Sequence, residues 1–252
     1  MGEIVHVCLV GALGKMGLML QELMEQDDDT SLIIRVDSLF STAYNDYKDI
    51  MELDEPELVD VVVDFSNPES TEKVALWCSR NGKPLVTGTT GLTDEQIQHL
   101  KAFAHNVPIL RDSNMSLGVN LIDTLLPQMV RILEGFEIEM VEIHNSNKKD
   151  SPSGTAIRFA ETLVKAKGGE IIYGRAKGKS DNRPINDVVV HAIRGGTVPG
   201  EHTIYFLGPD EIIEIKHRAL SRKIFALGAI KAAKWIIGQK PGLYSMNDVL
   251  GL

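Results

Sequence analysis

Residues 60–65 read Asp-Val-Val-Val-Asp-Phe, an almost unbroken apolar run between two aspartates. A strand with one wet face alternates apolar and polar residues, whereas a strand covered on both faces is apolar throughout. The run therefore calls for a sheet with helices packed on both sides. Its surroundings agree. Residues 4–10 are rich in β-branched side chains and stop at Gly11, and residues 15–26 follow with Met16, Met19, Leu20, Leu23 and Met24 at helical spacing. Residues 32–36, 84–87 and 107–110 read as further strands. Asn67-Pro68 offers an N-cap with proline at the first helical position, and Thr93-Asp94-Glu95-Gln96 is a capping box. Strand and helix in alternation predict an α/β domain with a Rossmann-like parallel sheet.

The pattern then changes. Residues 118–133 read as a helix, and residues 136–140 alternate, with Glu137 and Glu139 opposite Phe136, Ile138 and Met140. Residues 188–193, 203–207 and 212–215 are strand candidates separated by turns such as Gly195-Gly196 and Pro199-Gly200. This spacing predicts an α+β domain with a mostly antiparallel sheet. Residues 221–238 form a closing helix, with Ile224, Leu227, Ile230 and Ile237 near one face. The polar, Lys/Arg-rich residues 174–183 are the best candidate for a mobile loop.

Charge narrows the partners. Lys plus Arg is 26 against 35 Asp plus Glu, a formal net charge of −9, which disfavours nucleic acid as a partner. No stretch of about 18 apolar residues exists, so no membrane span is expected. The start of the chain lacks the basic segment of a signal peptide. Cys8 and Cys78 lie in apolar surroundings and read as buried free thiols, which suits a cytoplasmic protein.

Chemistry concentrates in a few places. Gly11-Ala12-Leu13-Gly14-Lys15-Met16-Gly17 joins the first strand to the first helix, where glycines let backbone approach a pyrophosphate and the helix start supplies N–H groups. Asp37, 26 positions after Gly11, ends the second strand and can accept from an adenosine ribose, favouring NAD. Lys15 can meet a 2′-phosphate, which keeps NADP open. Asp64-Phe65-Ser66, Thr87-Gly88-Thr89-Thr90-Gly91 and Asp112-Ser113-Asn114-Met115-Ser116 are small polar runs at strand ends, each either a plain turn or a lining of the nicotinamide half of the crevice. Residues 142–156 are the densest segment: a strand ends at His144, Lys148 follows in a polar loop, and Ser153-Gly154-Thr155 opens a helix able to hold a carboxylate. His202 and His217 read as structural. No cysteine, histidine or carboxylate set has metal-ligand spacing, so no metal is expected.

These motifs together resemble the 4-hydroxy-tetrahydrodipicolinate reductase family, also called dihydrodipicolinate reductase, of lysine and diaminopimelate biosynthesis. The resemblance spans essentially the whole chain. It rests on GALGKMG, DFSNPE, TGTTG, SNMSLGVN, EIHNSNKKDSPSGTA, RGGTVPGEH and HRALSRKIFALGAIKAA, in that order. It implies a dinucleotide-binding domain over residues 1–116 completed by residues 221–252, and a substrate-binding and oligomerisation domain over 117–220. It implies a homotetramer using NADH or NADPH on a small dicarboxylate. His144 would donate or accept the proton and Lys148 would donate it. Gly154 and Thr155 would bind a substrate carboxylate, and Arg222 would be a further contact. Gly11, Ala12, Leu13, Gly14, Lys15 and Met16 would hold the pyrophosphate.

Four positions depart from the family pattern. Asn145 stands where a second histidine is usual, and its amide can hydrogen-bond a carboxylate but cannot carry a proton. Asp112 replaces a small apolar residue, Ser38 a basic one found in some members, and Leu13 a frequent glycine. Two other readings stay open: a nicotinamide-dependent reductase of a related dicarboxylate imine, and a redox-sensing protein that only binds the nucleotide.

Overall fold

The computed structural model describes residues 3–41, 45–178 and 184–252. Residues 179–183 of the expected mobile loop thus lie outside the described residues. Two units emerge, one of residues 1–117 and 223–252, the other of residues 118–222.

The first unit runs β1 (Val5–Val10), α1 (Lys15–Met24), β2 (Thr30–Val36), β3 (Asp46–Tyr47), β4 (Val61–Asp64), α2 (Pro68–Asn81), β5 (Leu85–Thr87), α3 (Asp94–Phe103) and β6 (Pro108–Arg111). The second follows with α4 (Leu117–Ile132), β7 (Glu137–His144), α5 (Gly154–Lys167), β8 (Ile171–Tyr173), β9 (Val188–Arg194), β10 (Gly200–Leu207) and β11 (Ile212–Ala219). The chain then returns to the first unit with α6 (Lys223–Ile236), β12 (Gly242–Tyr244) and α7 (Met246–Leu250).

Seven parallel strands form the first sheet in the order β12-β6-β5-β4-β1-β2-β3. The order reverses between β1 and β4, which is the switch point of a Rossmann-like sheet. Two cores cover its two faces, as the valine run demands. Val61 and Val63 pack with Val7, Leu9, Leu20 and the alanines of α6; Val62 packs with Cys8, Val74, Trp77 and Leu100. Both cysteines are buried and unbridged. Asn67 accepts the amide of Ser70 at 3.0 Å, and the Thr93–Gln96 capping box closes in both directions.

The closing helix buries a different face from the one expected. Leu227 is 52% exposed and Ile237 38%, while Ala226, Gly228, Ala229, Ala232 and Ala233 are buried with Ile230 and Ile236. Close approach explains it: a Cβ at Gly228 would lie 1.8 Å from the Met115 carbonyl oxygen. Small side chains let the helix axis sit near the sheet, so the stripe of contact follows size rather than hydrophobicity. The short strands β3, β8 and β12 carry no periodic signal that would predict them.

The second unit's sheet has the order β11-β10-β7-β9-β8. Pairing is antiparallel on both sides of β10, along nearly its whole length, and parallel for β7–β9 and β8–β9. Val119 and Leu126 of α4 and Phe159 and Leu163 of α5 pack on Ile138, Met140, Val188, Val190, Ile204 and Phe206. Arg158 joins the two helices, with Nε 2.7 Å from Asp123 Oδ2 and Nη2 2.9 Å from Asn120 Oδ1. No helix among the described residues is long and apolar enough to cross a membrane.

Candidate active site

At the switch point of the first unit, the chain turns on Gly11 at φ +77°, where a Cβ would come within 2.5 Å of the Phe65 carbonyl oxygen. A Cβ at Gly17 would lie 2.2 Å from the Gly11 carbonyl oxygen. Glycine is thus required at both positions, once for φ and once for the closeness of helix to turn. Gly14 is the N-cap of α1 and no side chain caps this end, so the helix start presents backbone N–H and the positive end of its dipole. Leu13, Gly14 and Lys15 are exposed here, while Ala12 is buried and its carbonyl accepts from Gln21 Nε2 at 2.7 Å. Asp37 reaches into the same turn, accepting the Leu13 amide at 3.0 Å. A turn packed this tightly onto an uncapped helix start fits a dinucleotide pyrophosphate.

Asp64 organises the neighbouring strand ends. Fully buried, its carboxylate accepts from Ser66 N at 3.1 Å, Thr71 Oγ1 at 2.6 Å, Thr87 Oγ1 at 2.9 Å and Thr89 Oγ1 at 3.1 Å. The loops after β4 and β5 are thereby tied to one point. Gly88 lies against the Phe65 ring, which a Cβ would meet at 2.3 Å. Thr89 is buried on Asp64 and Thr90 is exposed. Asp112 accepts the Asn114 amide at 3.1 Å and the Met246 amide at 3.3 Å, so the loop after β6 is fastened to the start of α7. Ser113 is exposed, and Met115 is buried in the core with its carbonyl oxygen against Gly228 of α6.

The second unit gathers its chemistry at the end of β7. Glu142 is fully buried, and its Oε1 accepts from Arg194 Nη2 at 2.7 Å and from the Ser153 amide at 3.1 Å. Its Oε2 bonds His144 Nδ1. Burial alone would raise this carboxyl's pKa, but hydrogen bonds from Arg194 and His144 outweigh it and hold the carboxyl below its ordinary range. Gly200 borders the other side of the ring: a Cβ there would stand 2.9 Å from His144 Nε2. His202 packs edge-on against His144, with ring centroids 5.2 Å apart, and bonds Ser153 Oγ at 3.0 Å. Burial, helped by the neighbouring His144, pushes the His202 pKa down to about 4, so this ring is neutral.

Ser153 caps α5, its Oγ accepting the Ala156 amide at 3.2 Å, and the amides of Gly154 and Thr155 precede that one at the positive end of the helix. Lys148 Nζ pairs with Asp150 Oδ1 at 2.9 Å, and Asn145 Oδ1 accepts the Asn147 amide at 3.1 Å. The basic residues of this region do not form one unneutralised patch. Arg194 answers Glu142, Arg218 answers Glu201 at 2.5 Å and Lys148 answers Asp150, while Lys149 and Arg222 are exposed. Glu142, His144 and His202 carry metal-ligating atoms within 4.8 Å of one another, a cluster that spacing along the chain hides. Both Glu142 oxygens are already engaged, one of them by a guanidinium.

The whole chain has relatives. Residues 5–115 match the family described as dihydrodipicolinate reductase, N-terminus, and residues 118–250 the one described as dihydrodipicolinate reductase, C-terminus. The chain is 40% identical over 249 residues to the 4-hydroxy-tetrahydrodipicolinate reductase of Caldanaerobacter subterraneus subsp. tengcongensis, covering 98% of both. It is 41% identical over 265 residues to that of Aquifex aeolicus, covering 98% of this chain and 99% of the relative. In fold it is similar to a dipicolinate-bound dihydrodipicolinate reductase from Paenisporosarcina sp. TG-14, with TM-score 0.81 and 22% identity over 96% of this chain and 97% of that one. A C. glutamicum DAP dehydrogenase is more distant, with TM-score 0.58 and 13% identity over 97% of this chain and 93% of that one. With both halves matched end to end and such identity to full-length relatives, this chain belongs to the dihydrodipicolinate reductase family.

Proposed function

We propose that this protein reduces 4-hydroxy-tetrahydrodipicolinate to tetrahydrodipicolinate, the reaction for which its relatives are named, in lysine and diaminopimelate biosynthesis. The observation that carries the reading is the pairing of His144 with a buried carboxylate beside the α5 start. A proton-transfer group held next to an anion site suits a dicarboxylate whose ring must gain a proton. NADH or NADPH, when bound, supplies the hydride.

In this reading Gly11, Ala12, Leu13, Gly14, Lys15 and Met16 hold the pyrophosphate and Asp37 the ribose. Gly88, Thr89 and Thr90 line the nicotinamide side with Asp112, Ser113, Asn114 and Met115. Gly154 and Thr155 take one substrate carboxylate through amides at a helix start. Asn145 and Arg222 contact the substrate. Loss of the 4-hydroxyl as water leaves a conjugated cyclic imine. The hydride adds to its ring, and Lys148 or His144 delivers the proton to the resulting enamine carbon. Lys148 leaves its partner Asp150 to do so, and because Asp150 is exposed and stays solvated the pair parts at small cost.

The protein works in the cytoplasm as a homotetramer, and sedimentation should give a mass near four times 27.8 kDa. The activity is tested by following nicotinamide absorbance with substrate generated enzymatically in the cuvette. Oxidation of coenzyme only when substrate is generated supports the reading. Coenzyme binding without turnover would leave a nucleotide-binding protein that is not a reductase of this substrate.

A further inference from the structure

His144 has two ring nitrogens, and its proton chemistry depends on which of them carries hydrogen. The fold decides this through Glu142. Oε1 of Glu142 faces two obligate donors, the Arg194 guanidinium and the Ser153 amide, while Oε2 faces His144 Nδ1. A carboxylate has no hydrogen to give. Nδ1 must therefore be the protonated nitrogen, and Nε2, beside Gly200, is the one that gains or loses the working proton. Glu142 is fully buried, so water does not compete for these contacts.

We propose that Glu142 is the positioning residue of the proton-transfer site: it sets the tautomer of His144 and joins that ring to the start of α5. The inference rests on the reading of His144 as the proton-transfer residue. The joining is geometric. One carboxylate binds the β7 end through His144, the β9 end through Arg194 and the helix cap through Ser153. The proton donor and the carboxylate-binding amides are thus fixed with respect to a single buried group. Other charges near the ring do not replace it. Lys148 is turned to Asp150, and His202 is neutral and bonded to Ser153.

Glu142→Gln gives a sharp test because an amide has one acceptor oxygen. Arg194 and the Ser153 amide both need that oxygen on their side. The introduced NH₂ then faces His144 Nδ1 and donates to it, which moves the ring hydrogen to Nε2. Imidazole ¹⁵N shifts of histidine-labelled protein distinguish the two tautomers, and His144→Gln assigns the signals. In spectra taken at a pH where the His144 ring is neutral, wild type should carry its hydrogen on Nδ1 and Glu142→Gln on Nε2. The variant's kcat should fall about 10²–10⁴-fold, the scale seen when an imidazole is held in the wrong tautomer, with NADH affinity by fluorescence titration unchanged. Glu142→Asp, which keeps the carboxylate, should recover part of the loss.

A wild-type His144 with its hydrogen on Nε2 would overturn the inference, and this needs no variant to fold. So would a folded Glu142→Gln protein with the wild-type tautomer and kcat. Neither outcome bears on whether the wild type turns over the substrate, so failure of the functional reading is separately visible.

Discussion

Asp37 Oδ2 accepts the Leu13 amide at 3.0 Å, and Oδ1 accepts the Leu39 amide at 3.1 Å. The acid at the end of β2 is thereby held inside the glycine turn. A carboxylate so fixed favours two ribose hydroxyls and repels a 2′-phosphate, and Ser38 supplies no cation to offset the repulsion. NADH should be used at least as well as NADPH, with both accepted. Asp37→Ala should shift kcat/KM towards NADPH, and Lys15→Ala should shift it towards NADH. A wild type preferring NADPH by more than about 30-fold, roughly 2 kcal/mol, would contradict this.

Lys148→Ala should lower kcat about 10²–10⁴-fold, as removal of a placed general acid does. Coenzyme affinity should barely move. Near-normal kcat would remove Lys148 from the mechanism and leave the proton to His144.

Thr155→Val keeps the backbone amide and deletes the hydroxyl at the α5 start. Substrate KM should rise by roughly 10- to 150-fold, corresponding to about 1.5–3 kcal/mol for a hydrogen bond to a charged group. An unchanged KM in a folded variant would remove the Thr155 hydroxyl from carboxylate binding and leave that contact to the backbone amides.

His202 ties stability to pH. Its pKa is 6.5 in an unfolded chain and about 4 in the fold, because burial disfavours the charged ring. Between these values the unfolded chain binds the proton and the folded one does not, so stability falls as pH drops from about 6.5 to 4. The full contribution is on the order of 3 kcal/mol. Urea unfolding at pH 7.5 and 4.5 should show a smaller difference for His202→Gln than for wild type; equal differences would remove His202 as the source.

Gly228→Ala places a Cβ 1.8 Å from the Met115 carbonyl oxygen. Backbone has to move, at a cost of about 1–3 kcal/mol or more. Chemical denaturation should show the loss, and coenzyme affinity should weaken with it because Asp112, Ser113, Asn114 and Met115 form the adjoining loop.

What the residues announced and what they hid have separate physical causes. The valine run of β4, the glycine turn and the caps at Asn67 and Thr93 are local: one segment carries the whole signal. Contacts that join distant segments leave no such trace. Asp64 gathers Thr71 from α2 and Thr87 and Thr89 from the end of β5, and Glu142 meets Arg194 from another strand. Nothing in the chain order marks these as partners. Leu227 misled for a related reason, since hydrophobicity marks a buried face only where side chains rather than backbone set the spacing.

The return of α6 and β12 to the first unit carries a consequence for biosynthesis. A nascent chain of 222 residues already holds every strand of the second unit, but its nucleotide half lacks an edge strand and the helix that covers Val7, Leu9, Val61 and Val63. Those side chains stay uncovered on that flank until α6 leaves the ribosome, and this is the interval in which a chaperone has something to hold. Coenzyme, which stabilises only the folded unit it binds, gains its hold on this half once α6 has docked.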